Sequence, residues 1–271
     1  MIQERNGELW GRERGIVLRH DSFEGPFAAD FTQRKRRSIT TRTVDGALKR
    51  LLDVVFSATL LLLLSPLVLL LAVAIKLESR GPCFYRCPRV GRNGVTFAML
   101  KFRKMHDGAS GPVLASWDDE RFTRIGAFLA QTKLDEIPQL WNVLRGQMSL
   151  VGPRPEDPAF ISLHPSEFAV IHTVRPGMTG LSQIAFAREA FVLDPEDRVG
   201  HYVRQILPQK VQIDQFYALQ RSFAMDLRVL GWTALAVVLR REVAVHRQTG
   251  SMSLRTPRGQ SSTVALGRTE A

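Results

Sequence analysis

The chain has 271 residues, of which 45% are hydrophobic. It is therefore long enough to bury a hydrophobic core and to form one large or two small domains. Its 37 Lys and Arg residues against 26 Asp and Glu residues give a formal net charge of +11. That surplus indicates an anionic partner: nucleic acid, an anionic membrane surface or a phosphorylated small molecule. The first residues mix charges of both signs without an apolar core, so they do not predict a secretory signal peptide.

Both ends of the chain are predicted to be disordered. Residues 1–42 form a polar, basic segment, and residues 243–271 are also polar. Between them, Cys83 and Cys87 lie four residues apart on a segment that we interpret as a strand. Four strand residues span about 13 Å, too far for a disulfide, so both cysteines are interpreted as free thiols.

An uncharged apolar run occupies residues 54–75. As a helix rising about 1.5 Å per residue it is about 33 Å long, enough to cross the hydrocarbon core of a bilayer. A buried core helix is the alternative, but apolar residues on every side of so long a run favour a membrane. Basic residues flank both ends, so a spanning helix would leave one basic flank outside, against the usual cytoplasmic bias of Lys and Arg.

Ser65 and Pro66 lie in the middle of this run. Proline lacks an N–H and clashes with the carbonyl four residues earlier, which predicts a kink that the Ser65 hydroxyl partly compensates. A central kink between two basic ends indicates a re-entrant helix-break-helix, residues 43–76, that enters the membrane and returns to the same face. A kinked transmembrane helix is the alternative.

A second apolar segment, residues 222–242, contains Asp226 and Arg228 and ends in basic residues. Its uninterrupted apolar part is too short to span a bilayer. The pattern fits an amphipathic helix on the membrane surface and an ordinary core helix equally well.

A β-hairpin is predicted to follow the membrane segment. Asn93 and Gly94 separate two short strands, and this pair suits the positive φ angles of a tight turn. Lys101 and Arg103 end the second strand among apolar neighbours. They are interpreted either as a solvated strand end or as part of a phosphate site.

Asp135 and Glu136 stand side by side between two predicted helices, the second beginning near Asp135. Thr132 and Asp135 have the spacing of a capping box, and acids in a first turn suit the helix dipole. The pair is therefore interpreted as a helix start, as chemistry, or as both, since a carboxylate fixed at a helix start is well oriented.

Two arginines lie at stiff turns after these helices. Arg154 sits between Pro153 and Pro155, whose fixed φ angles would hold its guanidinium rigidly for bidentate contact with phosphate. Arg175 precedes Pro176 and repeats the arrangement.

The chain carries in order Lys49-Arg50, the Ser-Pro apolar run, GPCFYR, RVGRNG, KFRKM, LDEIPQLWNVLRGQMSLVGPRP and RPGMTGLSQI. This ordered set resembles the bacterial sugar transferase family, the monotopic phosphoglycosyl transferases, over roughly residues 43–233. The resemblance implies an α+β fold: a mostly helical, membrane-associated domain with a re-entrant membrane helix, a small β-hairpin and surface amphipathic helices. Residues 77–242 would form the catalytic domain.

The resemblance also implies an activity. Members transfer sugar-1-phosphate from a nucleotide sugar, usually a UDP-sugar, to undecaprenyl phosphate at the cytoplasmic face of the bacterial inner membrane, starting exopolysaccharide, lipopolysaccharide or glycoprotein glycan synthesis. Asp135 resembles the nucleophile that forms an aspartyl phosphosugar, and Glu136 its partner, the two together holding Mg²⁺. Membrane phospholipids are implied partners, and a homodimer is compatible with the family.

Further residues are carried over by position as binders of substrate phosphate groups: Lys101, Arg103, Arg154, Arg175 and Arg188. The chain departs from the family pattern at three places, where it has Cys87 for glutamine, Ala130 for arginine, and Ala187 with Arg188 one place later. These departures leave the choice of sugar open.

Two other functions compete with this assignment. A non-catalytic membrane scaffold that keeps the fold is separated from an enzyme by measuring turnover. A nucleic-acid binder would leave the apolar run unexplained, and the sequence shows no helix-turn-helix, zinc or aromatic-stacking motif. We therefore expect no nucleic-acid partner.

Overall fold

A computed structural model of the protein describes residues 4–5, 8–9, 39–111, 114–116, 119–187, 193–194, 196–239, 243–246 and 249–254. The chain separates into two units, Met1–Val44 and Asp45–Ala271. In the first unit, strands β1 (Glu4–Arg5) and β2 (Glu8–Leu9) pair antiparallel. The prediction of disorder for residues 1–42 otherwise falls mainly outside the described residues.

Helix α1 (Ile39–Glu78) contains the apolar run. Within the described part of the chain it supplies one segment, Gly46–Glu78, that is long and apolar enough to cross a membrane. Leu62 and Leu69 keep 75% and 66% of their surface exposed, and other leucines of the run are similarly open. Contiguous apolar surface of this extent marks an interaction site, and a lipid bilayer is the environment that suits it.

The helix continues without a break through Ser65 and Pro66, so the structure does not confirm the expected re-entrant turn. The Ser65 hydroxyl donates a hydrogen bond to the carbonyl of Leu62 at 2.7 Å. In a regular helix the N–H of residue 66 would bond that same carbonyl, and proline has no N–H to give. The predicted compensation by Ser65 is confirmed, and it explains how the helix tolerates the proline.

Both halves of α1 are fastened to the same unit. Near the start of the apolar run, the carboxylate of Asp53 accepts hydrogen bonds from the Ser149 hydroxyl and the Leu150 N–H. Towards its C-terminal end, Leu71 and Ile75 are buried. The helix is therefore anchored at both ends while its middle leucines remain exposed.

Strands β3 (Phe84–Val90) and β4 (Thr96–Phe102) form the expected antiparallel hairpin. The turn between them has φ angles of 59° at Asn93 and 75° at Gly94, which confirms the Asn-Gly prediction. Asn142 joins this hairpin to the next helical region, because its side chain accepts from the Leu100 N–H and donates to the Ala98 carbonyl. This joint places the end of β4 beside residues 134–144.

The described residues also form the helices α2 (Arg124–Thr132), α3 (Gln139–Leu144), α4 (Pro158–Ile161), α5 (Pro165–Ile171), α6 (Leu181–Ala185), α7 (Arg198–His201), α8 (Leu207–Gln220) and α9 (Phe223–Leu239). A π-helical stretch, Tyr202–Ile206, joins α7 to α8. Strands β5 (Ser149–Val151) and β6 (Gly177–Thr179) pair in parallel. The mixed, largely helical α+β architecture predicted from the sequence is confirmed.

Helix α9 covers the second apolar segment, and one side of it packs into the main core through Val229, Leu230 and Trp232. Asp226 is buried and accepts a hydrogen bond from the Tyr217 hydroxyl at 2.5 Å. Its contacts are therefore those of a core helix on one side, although Leu227 on the other side is exposed.

The segment predicted to be a disordered tail contains two strands, β7 (Val243–Val245) and β8 (Met252–Leu254), which pair antiparallel. The prediction is wrong for these residues because Val243 is buried in the main core, an attachment that local polarity did not indicate. Residues from 255 onward lie outside the described part of the chain.

Candidate active site

The predicted catalytic pair lies on a tight turn rather than at a helix start. Lys133 has a φ of 60°, which ends α2, and Leu134–Glu136 form a single 3-10 turn before α3 begins at Gln139. The Thr132 hydroxyl donates to the carbonyl of Phe128 at 2.8 Å. The capping-box interpretation is therefore wrong: the left-handed residue separates Thr132 from the turn, and its hydroxyl serves the preceding helix.

Asp135 is buried, with 2% of its surface exposed. Lys104 Nζ lies 3.6 Å from Asp135 Oδ2, and within the described chain no hydrogen-bond donor is bonded to this carboxylate. A buried carboxylate without hydrogen bonds is unusual and calls for a functional or structural reason. Asp135 thus keeps its oxygens available to a group that enters the site.

Lys104 was not among the predicted site residues. Its backbone carbonyl accepts from the Thr123 N–H at 3.0 Å, and a side chain at Gly126 would overlap that carbonyl. The start of α2 is therefore packed directly onto the backbone of Lys104. The sequence signal for Lys104 is its place in KFRKM, three residues after Lys101. In the structure the two lysines lie against the neighbouring carboxylates of Glu136 and Asp135.

Glu136 is surrounded by cations. Lys101 Nζ donates to Glu136 Oε1 at 3.1 Å, and a guanidinium nitrogen of Arg154 lies 3.8 Å from the same oxygen. Burial alone would raise the pKa of Glu136, but the charges of Lys101, Arg154 and Lys133, with the Lys101 hydrogen bond, lower it to about 2. Glu136 is thus an ionised carboxylate at neutral pH.

The pKa of Lys104, the cation beside Asp135, is also lowered, and for a lysine this favours the neutral form. Burial lowers the pKa of Lys104, and the positive charges of Lys101 and Lys133 lower it further, whereas Asp135 and Glu136 oppose the change. Three cationic side chains and two carboxylates therefore share a small volume. An entering anion would relieve the repulsion among the lysines.

Arg154 is held by the joint between β5 and β6. The Gly152 N–H bonds the Thr179 carbonyl at 2.9 Å, and the Gly177 N–H bonds the Pro153 carbonyl at 2.8 Å. A Cβ at Gly177 would overlap the backbone nitrogen of Gly152, so only glycine allows the two segments to approach this closely. The GPRP and RPG motifs thus pack against each other.

Behind Arg154 the chain continues into a buried polar network. Glu156 Oε1 accepts from the Tyr202 hydroxyl at 2.9 Å and lies 3.0 Å from Lys210 Nζ, which also donates to the Tyr202 oxygen. Burial would raise the pKa of Glu156, but the Lys210 and Arg154 charges and these hydrogen bonds lower it. The network joins the GPRP loop to α8 and its preceding turn.

Asp214 lies near this network and is also buried, and its Oδ1 atom has no hydrogen-bond partner in the described residues. Burial raises the pKa of Asp214 to about 7, although the nearby Ser182 hydroxyl and the charge of Lys210 act in the opposite direction. Asp214 is thus largely protonated below neutral pH.

The structure separates two of the predicted substrate binders from this site. Arg103 is buried, and its guanidinium donates to the Arg80 carbonyl at 2.6 Å and to the Ser79 carbonyl at 2.8 Å. These bonds cap the C-terminal end of α1, so the burial of Arg103 is explained by a structural role. Arg175 donates to the Gly146 carbonyl at 2.9 Å and belongs to a different pocket. Arg188 lies outside the described residues.

The site suits a magnesium ion only in a limited way. The described residues include no group of three or more His, Cys, Asp and Glu side chains arranged to hold a metal. Asp135 and Glu136 nevertheless offer hard oxygen donors, and Mg²⁺ is usually bound by one or two carboxylates together with substrate phosphates. The donor set therefore fits a metal that is shared with a phosphate substrate.

Comparison with known proteins relates this arrangement to a family. Residues 44–240 match the model of the family described as bacterial sugar transferase. A UDP-glucose:undecaprenyl-phosphate glucose-1-phosphate transferase of Caulobacter vibrioides is 42% identical over 187 residues, covering 67% of this chain and 66% of that protein. An undecaprenyl-phosphate glucose phosphotransferase of Komagataeibacter xylinus is 39% identical over 215 residues, covering 76% of this chain and 38% of that protein.

A shorter relative is matched over almost its whole length. The exopolysaccharide production protein PSS of Rhizobium leguminosarum is 36% identical over 207 residues, covering 73% of this chain and 98% of that protein. The chain thus spans two-thirds or less of the length of the Caulobacter and Komagataeibacter proteins. Residues 44–240, which match the family model, include the hairpin, the Asp135-Glu136 pair and the two arginine-proline motifs.

Proposed function

The chain belongs to the bacterial sugar transferase family, and we propose that it transfers sugar-1-phosphate from a UDP-sugar, the donor that the family implies, to undecaprenyl phosphate. The activities for which the Caulobacter and Komagataeibacter relatives are named support this reaction class. The name of the Rhizobium relative supports a role in exopolysaccharide production. The product would be the first lipid-linked intermediate of a polysaccharide or glycoconjugate.

One observation carries the proposal: Asp135 is buried with Lys104 at 3.6 Å, yet its carboxylate has no hydrogen bond within the described residues. A carboxylate that served stability alone would be bonded, as Glu156 is. The neighbouring Lys101, Lys104 and Arg154 provide the positive field that a diphosphate needs in order to approach two carboxylates.

The reaction proceeds in two displacements at one phosphorus atom. A carboxylate oxygen of Asp135 bonds to the phosphorus that carries the sugar, and the bond from that phosphorus to the bridging oxygen breaks. UMP leaves with the bonding electron pair, and an aspartyl phosphosugar remains. A phosphate oxygen of undecaprenyl phosphate then bonds to the same phosphorus, and Asp135 leaves as a free carboxylate.

The surrounding side chains position and neutralise the reacting groups. Lys101 and Arg154 keep Glu136 ionised and fixed. Lys104 can turn from Asp135 to a phosphate oxygen, because no short hydrogen bond holds it at 3.6 Å. Asp135 and Glu136 would hold Mg²⁺, which when bound supplies neutralisation of the diphosphate charge.

Attachment to one face of the membrane is the second part of the proposal. Arg50 donates to the Val143 carbonyl near one end of the apolar helix, and Arg103 donates to the Ser79 carbonyl beyond its other end. Both ends are thus bonded to the unit that carries Asp135. A helix that crossed the bilayer would place one end about 30 Å away on the far side, which these contacts disfavour.

We assign the attachment to the cytoplasmic face of the bacterial inner membrane. Nucleotide sugars and the basic residues at both ends of α1 belong on that side, where Lys and Arg are normally retained. The lipid phosphate of the acceptor lies at the bilayer surface, so a site at that surface can reach both substrates.

The proposal is tested by looking for the covalent intermediate. The purified protein in detergent with Mg²⁺ is mixed with a panel of UDP-sugars without lipid acceptor, and its intact mass is measured. We expect the mass of one sugar phosphate to be added, and the donor that adds it names the sugar. Asp135→Asn should form no adduct, whereas Asp107→Asn, which removes an exposed carboxylate, should behave like the wild type.

Other outcomes separate the alternatives. An adduct that persists in Asp135→Asn contradicts the assigned nucleophile while leaving the family assignment intact. The absence of any adduct, together with no UMP release after undecaprenyl phosphate is added, would contradict an enzymatic function and favour a non-catalytic membrane scaffold.

A further inference from the structure

A second cluster of cations lines a pocket that the proposed reaction does not use. Its basic residues come from four separate segments: Lys49 from α1, Arg92 from the hairpin turn, Arg175 from the segment before β6, and Arg221 from the end of α8. Val174 and Tyr217 complete the lining. Four distant segments of the chain thus bring positive charge to one place.

Most of this charge is not neutralised by the protein. Lys49 is paired with Asp226 at 2.9 Å. For Arg92, Arg175 and Arg221, no carboxylate of the described chain lies within 4.0 Å. The Arg175 guanidinium uses its Nε atom on the Gly146 carbonyl, which leaves its two terminal nitrogens for a ligand.

The cations of the pocket also act on one another. Burial lowers the pKa of Arg175, and the charges of Arg50 and Arg92 lower it further, with Arg221 adding to the effect and Asp53 opposing it. Cations held together in this way repel one another, and a bound anion would offset that repulsion. Guanidinium groups favour phosphate because they can donate two parallel hydrogen bonds to it.

The pocket shares no lining residue with the carboxylate site. Asp135 and Glu136 lie beside Lys101, Lys104 and Arg154, before the start of α3. The pocket instead lies beyond the other end of α3, where Arg175 donates to the Gly146 carbonyl. The pocket is therefore a site separate from the carboxylate pair.

The pocket adjoins the apolar run of α1. The uncharged run begins at residue 54, about 8 Å along the helix after Lys49. Because this run is the part of α1 proposed to enter the membrane, the pocket lies next to the membrane surface, where the phosphate groups of lipids are found.

We propose that this pocket binds the phosphate group of an anionic phospholipid headgroup and so fixes the depth of the protein in the membrane. The proposal rests on membrane attachment through α1, but not on the chemistry at Asp135. The shared chemistry is a phosphate anion, which could come from a lipid or from a soluble phosphate compound. The position of Lys49 beside the apolar run favours the lipid.

The test compares lipid binding by variants of the full chain. Nanodiscs of phosphatidylcholine with or without phosphatidylglycerol are titrated with the wild type, with Arg92→Gln/Arg221→Gln and with Arg86→Gln/Arg124→Gln. All four arginines are exposed, so the two double variants lose the same charge without removing a buried side chain. Each basic residue that contacts an anionic surface contributes ~1 kcal/mol, about fivefold in affinity.

We expect the pocket variant to bind phosphatidylglycerol nanodiscs about 25-fold more weakly than the wild type. The matched control should lose about twofold or less, and phosphatidylcholine nanodiscs should not separate the two variants. Equal losses in both variants on phosphatidylglycerol would overturn the proposal, because general surface charge would then explain the binding. An unchanged pocket variant would overturn it as well.

Two further readouts identify the source of the phosphate and keep the proposal separate from catalysis. Inorganic phosphate, tested alone by thermal unfolding, should stabilise the protein far less than phosphatidylglycerol does. If inorganic phosphate stabilises the wild type equally well, and this stabilisation disappears in the pocket variant, the ligand is a soluble phosphate and the lipid assignment is overturned. In detergent, the pocket variant should form the sugar-phosphate adduct at the wild-type rate. Asp135→Asn should lose that adduct and retain the preference for phosphatidylglycerol.

Discussion

Two buried acidic groups lie close to the GPRP loop and are treated differently by the fold. Glu156 is bonded to Tyr202 and paired with Lys210, so its charge is compensated within the protein. Asp135 is equally buried but has one lysine at 3.6 Å and no hydrogen bond in the described chain. The comparison separates a carboxylate that holds the structure together from one that the structure keeps available for chemistry.

The largest effect is expected from Asp135→Asn. Removing a nucleophile should lower turnover by at least about 10⁴-fold, because the covalent route is lost. The free energy of unfolding should change by no more than ~1 kcal/mol, since no hydrogen bond to the carboxylate is broken. UMP release and chemical denaturation of the same preparation measure both quantities. A loss of stability comparable to the loss of activity would contradict the distinction from Glu156.

Glu156→Gln should show the reverse pattern. The substitution leaves Lys210 buried without its counter-charge, and breaking a buried pair typically costs about 3–5 kcal/mol of unfolding free energy. Turnover per folded molecule should fall much less than in Asp135→Asn. Combining Glu156→Gln with Lys210→Met removes the unpaired charge and should recover part of the stability. A double variant no more stable than the single one would argue against the ion pair as the cause.

Asp214→Asn should stabilise the protein at alkaline pH. The pKa of Asp214 is raised from 3.8 to about 7 in the folded state, so wild-type stability is lost as pH rises from about 4 through 7. An amide cannot ionise, and a shift of about three pKa units corresponds to on the order of 4 kcal/mol, so we expect about that much greater stability at pH 8, vanishing near pH 4. Unfolding curves across this range measure the difference. A difference that is constant with pH would refute the assigned ionisation.

The smallest effect is expected from Lys101→Met. Glu136 has its pKa lowered from 4.5 to about 2, so its ionised form contributes stability above pH 4.5 that is lost as pH falls towards 2. Removing Lys101 should raise the pKa of Glu136 and reduce this contribution by about 1–2 kcal/mol. The unfolding free energy at pH 7 minus that at pH 3 is the quantity to compare. Arg124→Met, at an exposed arginine, should leave it unchanged.

The sequence predicted those features whose signal is local. The Asn93-Gly94 turn has the positive φ angles that such a pair favours, and Ser65 bonds the carbonyl that Pro66 leaves free. The Asp135-Glu136 pair is brought together with Lys101 and Arg154 because Asn142 and the paired glycines fasten the hairpin and the GPRP loop beside it.

Features that depend on distant contacts could not be predicted in the same way. The Glu156–Lys210 pair joins residues from different helical regions, and neither has a periodic pattern that points to the other. The sequence at the end of β4 does not show whether Arg103 binds a substrate or caps α1. The hydrogen bond from Arg103 to the Ser79 carbonyl forms only in the folded chain. The sequence predicts a helix start at Asp135 because Lys133, which adopts the left-handed conformation that ends α2, is not a glycine, the residue that usually indicates such a position.

Borohydride trapping shows whether the carboxylate of Asp135 forms a bond to phosphorus. An aspartyl phosphate formed from a UDP-sugar is reduced by borohydride to homoserine, which peptide sequencing by mass spectrometry locates in the chain. We expect homoserine at position 135, formed only when the sugar nucleotide is present. Trapping at any other carboxylate, or no trapping while UMP is being released, would contradict this expectation.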